Sequence, residues 1–268
     1  MNNDGEREPN VKRLLDDNAK LLLAKVREDR FLTEVGTKLP SHSFLKHSTQ
    51  AVYLRQVDFL SAPLVARTRK LPEDIKVLDW GCGKGHITHL LRERGFNVTS
   101  CDVRSTEGDS AFGQETPILQ QLAIRVIPLE DPVQLPFENA TFDAVVSFGV
   151  LEHVKSDSLS MREVRRVLKT AGLFFIAFLP YRLSWKQAVA RAHGDKYHDR
   201  LYTHGRVRQL AADSGFRLVS MRHAQLFPKN SVPLEFDRWL EPLDRLLCAY
   251  TPCKYLATNL ELALVAEG

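Results

Sequence analysis

The clearest chemistry in this 268-residue chain lies in two aspartates and the glycines between them. In VLDWGCGKG, Val77 to Gly85, an apolar run ends on Asp79, and Gly81, Gly83 and Gly85 follow on alternate positions. Such a run reads as a buried parallel strand, and the glycines let the backbone turn sharply beside a ligand. Asp102 stands 102 − 79 = 23 residues after Asp79, at the end of a second apolar run. An acidic residue there is where a doubly wound sheet holds a ribose diol. Two other groups could move protons. One is His153, beside Glu152 in GVLEHV; the other is the stretch RAHGDKYHDRLYTHG, Arg191 to Gly205, with His193, Tyr197, His198, Tyr202 and His204. If Glu152 and His153 lie on a helix they do not face each other, so Glu152 is not expected to orient the imidazole. Bland readings stay open for both groups: a histidine that shapes its own turn, and a solvated basic loop with its tyrosines packed on the surface.

The glycine pattern selects among nucleoside ligands. A dinucleotide site wants G-x-G-x-x-G, whose gap makes room for pyrophosphate, and this chain lacks it. Asp79 would repel a diphosphate and suits an ammonium, which points to S-adenosylmethionine.

Several ordered motifs then resemble the class I methyltransferases, and within them the small-molecule group that includes the quinone-biosynthesis enzymes. The resemblance runs from about Ile75 to Phe216, on VLDWGCGKG, on CDV at Cys101 to Val103, on LPFENATFDAVVSFGVLEHV at Leu135 to Val154, and on EVRRVLKTAG at Glu163 to Gly172. It implies that Asp79, Gly81 and Gly83 line the methionine part of the cofactor, with Cys82 contributing its backbone. Asp102 would take both ribose hydroxyls, Val103 would pack on the adenine, and Asp131 would accept the adenine amino group. Pro132 departs from the pattern, because the family commonly uses that residue's N–H and proline has none.

The resemblance also implies methyl transfer by in-line displacement, most commonly to oxygen, on a small-molecule or lipid-linked acceptor. A base is needed only for an alcohol or phenol; His153 and His198 are the candidates. Tyr197 and Tyr202 are the candidate acceptor contacts, since loops between sheet and helix carry function disproportionately. A reading from another class is a cofactor-binding scaffold or partner protein without transferase activity.

These groups need a frame. Strands are expected near 75–80, 97–102, 125–128, 142–148, 172–178, 216–222 and 260–266, with helices near 86–94, 115–123 and 158–169. Alternation of this kind predicts an α/β fold, a seven-stranded, mostly parallel, doubly wound sheet of Rossmann type. Gly172 is expected to stop a helix, Thr203 to cap one that ends at Gly215, and Pro63 to break a helix over 48–69. An amphipathic helix is expected over 234–249, covering the sheet edge or forming a greasy entrance or membrane contact. Asp237, Glu241 and Asp244 weigh against the membrane, because membrane-surface helices favour Lys and Arg on the polar face.

The expected organisation is a disordered tail over 1–10, a helical cap over 11–70 and a cofactor-binding domain over 71–268, with insertions at 180–202 and 228–257. Hydrophobic residues make up 44% of the chain, enough for one large core, and 37 basic residues are offset by 33 acidic ones. The net charge of +4 permits nucleic acid without indicating it. Four scattered cysteines with no zinc-type spacing predict neither a disulfide scaffold nor a metal, and a reducing cytoplasm fits them. No apolar run approaches a membrane span. The oligomeric state is left open.

Overall fold

The computed structural model describes residues 47–103, 119, 122–131, 133–194, 198, 200–227 and 234–268. Seven strands form one sheet: β1 (Lys76–Trp80), β2 (Asn97–Val103), β3 (Val126–Leu129), β4 (Phe142–Phe148), β5 (Leu168–Pro180), β6 (Phe216–Ala224) and β7 (Asn259–Ala266). Their order is β3-β2-β1-β4-β5-β7-β6, parallel throughout except for β7, which runs antiparallel to both neighbours. The order reverses beside β1, so the carboxyl ends of β1, β2 and β4 enclose the crevice where open α/β sheets bind ligands. The expected sheet is therefore present.

Successive side chains of a strand face opposite ways, and both faces here are apolar. Val77, Ala144, Val146 and Phe175 pack beneath helices α1 (His47–Thr68) and α2 (His86–Arg92). Leu78, Val145 and Phe174 pack on the other face with Met161, Val164 and Leu210. Those three belong to α3 (Asp157–Val167) and α5 (His204–Asp213); α4 (Trp185–Ala192) and α6 (Asp237–Tyr250) complete the described helices. At the amino edge Asp143 accepts from Lys70 Nζ at 2.8 Å, Lys169 Nζ at 2.9 Å and the Lys76 N–H at 3.0 Å, tying β1, β4 and β5 together.

Three local expectations change. Pro63 does not break its helix: α1 runs through it. Leu60 and Leu64 on either side are 2% and 0% exposed, and their burial holds the turn that proline weakens. Gly172 does not stop a helix, because α3 ends at Val167 and β5 starts at once. The glycine is needed for close packing: a Cβ there would sit 2.8 Å from the Lys169 carbonyl oxygen and 3.1 Å from that of Asp143. The helix expected over 86–94 ends at Arg92. Thr203 does cap α5, accepting from the Arg206 N–H at 3.3 Å, and Gly215 follows with φ +76°. The tail over 1–10, positions 11–46 of the expected cap and six of the nine positions of 115–123 lie outside the described residues.

Candidate active site

β1 delivers the glycine loop to the carboxyl edge. The N–H groups of Gly81 and Cys82 both donate to the Cys101 carbonyl, at 2.9 and 3.1 Å, so the loop turns back over the end of β2. Gly81, Gly83 and Gly85 have φ of +73°, +53° and +83°, a region other residues enter at a cost. A Cβ on Gly81 would also come within 2.4 Å of the Val150 side chain.

Asp102 ends β2, buried and bracketed by backbone donors: Gly83 N–H at 2.6 Å on one oxygen and Val103 N–H at 2.7 Å on the other. Burial raises its pKa, which those two bonds oppose. Each oxygen keeps a lone pair for a hydroxyl donor, which fits a ribose diol. Val103 beside it is 45% exposed, an apolar surface at the place expected for adenine. Asp79 lies under the loop, 1% exposed, accepting from Thr88 Oγ1 at 2.6 Å. Burial pushes its pKa up to about 7. A ligand ammonium near that carboxylate would favour the ionised form, so the residues fit S-adenosylmethionine. The Cys82 thiol is buried and pushed strongly upward by burial, so it is not poised as a nucleophile.

Asp131 is exposed, and its Oδ1 accepts from the Val133 and Gln134 N–H groups at 2.7 and 2.8 Å. The Gln134 and Val133 bonds hold its carboxyl below the usual range. Pro132 lies outside the described residues.

The second cluster forms where β4 ends. Residues 151–155 are turn and bend rather than helix, which overturns the expectation that Glu152 and His153 point apart. Glu152 Oε1 is 4.0 Å from His153 Nε2 and 4.0 Å from His198 Nδ1, and the two imidazoles stack with centroids 5.8 Å apart. The Glu152 side chain is 3% exposed and His153 37%. Burial pushes the Glu152 pKa up to about 7. One ligand atom from each of the three lies within 4.8 Å of the others, so the set could share a proton or hold a cation. Spacing concealed this grouping, since 198 − 152 = 46 residues separate its ends.

The insertion is held against this turn by two residues. Arg200 donates to the Val154 carbonyl and, at 2.6 Å, to that of Lys155. Tyr202, 1% exposed, donates to the Leu151 carbonyl at 3.0 Å. The structure thus places Tyr202 in the core beneath the turn, rather than on a surface open to an acceptor. Tyr197 lies outside the described residues. His204 belongs elsewhere, 2.8 Å from His223 between Tyr181 and Tyr255, and His193 is exposed at the end of α4.

Residues 78–176 match the family model described as a methyltransferase domain. Over 141 residues the chain is 28% identical to the ubiquinone biosynthesis O-methyltransferase of Rickettsia conorii, covering 50% of this chain and 47% of that one. Over 158 residues it is 28% identical to the malonyl-[acyl-carrier protein] O-methyltransferase of Geobacter sulfurreducens, covering 56% and 58%. The match thus spans about half of these curated relatives. A solved S-adenosylmethionine-dependent methyltransferase from Methanosarcina mazei superposes with a TM-score of 0.52 at 17% identity, over 75% of this chain and 96% of that one, which is a likeness of fold. The domain match falls on the same strands and loop that carry Asp79, Gly81, Gly83 and Asp102, so residues 78–176 are similar to a methyltransferase domain, with S-adenosylmethionine as the cofactor that their glycine loop fits.

Proposed function

We propose that this chain methylates an oxygen atom of a small or lipid-linked acceptor, with the His153 and His198 pair taking the acceptor's proton. The observation that carries the reading is the Glu152, His153 and His198 cluster, at the carboxyl edge directly after β4 and next to the glycine loop. Two of the relatives described above, both O-methyltransferases, add support.

Bound S-adenosylmethionine supplies an electrophilic methyl on a sulfonium, already activated for displacement. The protein has to hold the acceptor oxygen in line and exclude water. A hydroxyl is a poor nucleophile until its proton leaves, and a positioned imidazole contributes about 10²–10⁴-fold. His153, the more open of the two, would accept that proton, and the Glu152 carboxylate 4.0 Å away would stabilise the imidazolium. His198, equally close to Glu152, offers the proton a second position. Arg200 and Tyr202 keep the turn in register by binding its carbonyls.

The test is a labelled-methyl assay against catechol-type and acyl-carrier acceptors. Transfer to a hydroxyl that falls at least about 100-fold in His153→Ala or His198→Ala, with cofactor affinity unchanged, supports the reading. Transfer to nitrogen or carbon, or equal rates in both variants, overturns it. Cofactor binding with no transfer to any acceptor would favour the scaffold reading.

A further inference from the structure

Among the described residues, ten of the fifteen large apolar side chains on the surface fall within 183–189 and 236–256. Both stretches lie at the carboxyl edge: α4 follows β5, and α6 lies between the end of β6 and the start of β7. Trp185 Nε1 donates to the Leu226 carbonyl at 2.9 Å, and the next residue's N–H donates to Asp244 on α6 at 2.9 Å, which links the two helices.

On α6 the exposed residues Trp239, Leu243, Leu246 and Tyr250 are spaced i, i+4, i+7, i+11, a single stripe about 16 Å long. The opposite face is the packed one, with Asp244 2% and Cys248 7% exposed. α6 therefore packs through the side that bears Asp244 and Cys248 and turns an apolar stripe outward. Concentrated exposed apolar surface marks an interaction site.

The charges indicate the partner. Two of the three acidic residues that argued against a membrane turn inward: Asp244 is buried on the Phe227 N–H, and Glu241 pairs with Arg55 of α1 at 3.4 Å. Cations occur in the same stretches, with Arg245 exposed on α6, Lys186 exposed on α4 and Lys254 lying 5.4 Å from the Tyr255 ring, against the exposed Glu235 just before α6. Tryptophan and tyrosine, rings with one apolar and one wet end, suit the boundary between water and hydrocarbon.

We propose that the outward face of α6, with the exposed side chains of α4, docks on an anionic lipid surface. The apolar stripe enters the headgroup boundary while Arg245, Lys254 and Lys186 meet lipid phosphates. The carboxyl edge of the sheet then faces the bilayer. This surface does not depend on which atom the enzyme methylates.

Flotation of the full chain with phosphatidylcholine vesicles, with and without phosphatidylglycerol, tests the proposal. The protein is expected to float with the anionic vesicles and fall off as salt rises. L243E/L246E should cut vesicle affinity at least about tenfold with S-adenosylmethionine affinity retained. Should that variant misfold, R245A/K254A leaves the apolar face intact and should weaken flotation on anionic vesicles alone. Absence of flotation, or flotation indifferent to phosphatidylglycerol, overturns the proposal. So does a wild-type dimer in gel filtration that the leucine variant converts to monomer without any vesicle binding, because the face would then belong to a second copy.

Discussion

The residues that decide this site are carboxylates whose surroundings set their charge. Asp102 holds its place through two backbone N–H bonds, and its free lone pairs are the expected ribose contacts. D102A should weaken S-adenosylmethionine by about 1.5–3 kcal/mol, the size of a hydrogen bond to a charged group, measured by calorimetry. Glu152 behaves differently, because burial raises its pKa to about 7, above its unfolded value of 4.5. Its contribution to stability is then fully present below about pH 4.5 and lost as pH rises through about 7. E152Q should therefore stabilise the protein at pH 8, on the order of 3 kcal/mol, and give no gain at pH 4, read as Tm at the two values. Ionised Glu152 is also what supports an imidazolium, so turnover should rise through about pH 7 in the wild type, and E152Q should lose that limb. Asp79 and Asp102 were legible because strand ends and a spacing of 23 residues locate them. The partnership of Glu152 with His198 was not, since it depends on a turn at 151–155 and on an insertion folding back across 46 residues.

At the scale of elements, burial overrules local preference. Pro63 is exposed within α1, yet α1 continues because its other faces are buried. Replacing that proline restores a backbone donor and removes a steric conflict, so P63A should raise stability by about 1–3 kcal/mol, seen as a higher midpoint in urea. Gly172 illustrates the converse, a position read as a helix stop that instead lets β4 and β5 close up. G172A should cost about 1–3 kcal/mol through overpacking, with the same readout. The cap at Thr203 was legible because its chemistry is local, a side-chain oxygen reaching an N–H three residues on. Pro63 and Gly172 were misread because their outcome is set by neighbours distant in sequence.

At the scale of the molecule, the strand alternation and apolar runs were enough to anticipate a seven-stranded sheet, since the central strands β1, β4 and β5 are packed on both faces. The outward face of α6 was not legible: periodicity marks an apolar side of these fourteen residues as the one to bury, yet packing leaves Trp239, Leu243, Leu246 and Tyr250 exposed. The fold places the glycine loop, the Glu152, His153 and His198 cluster and the apolar surface along one carboxyl edge, so under the proposed function an acceptor drawn from a lipid phase could approach the loop from that side. Both the site and its proposed chemistry require that this loop bind S-adenosylmethionine. Isothermal titration of S-adenosylmethionine, with NADH in parallel, into the purified full chain tests this most directly. Saturable one-site binding of S-adenosylmethionine alone, weakened in D102A, is the expected result; binding of neither, or of NADH in its place, would contradict it.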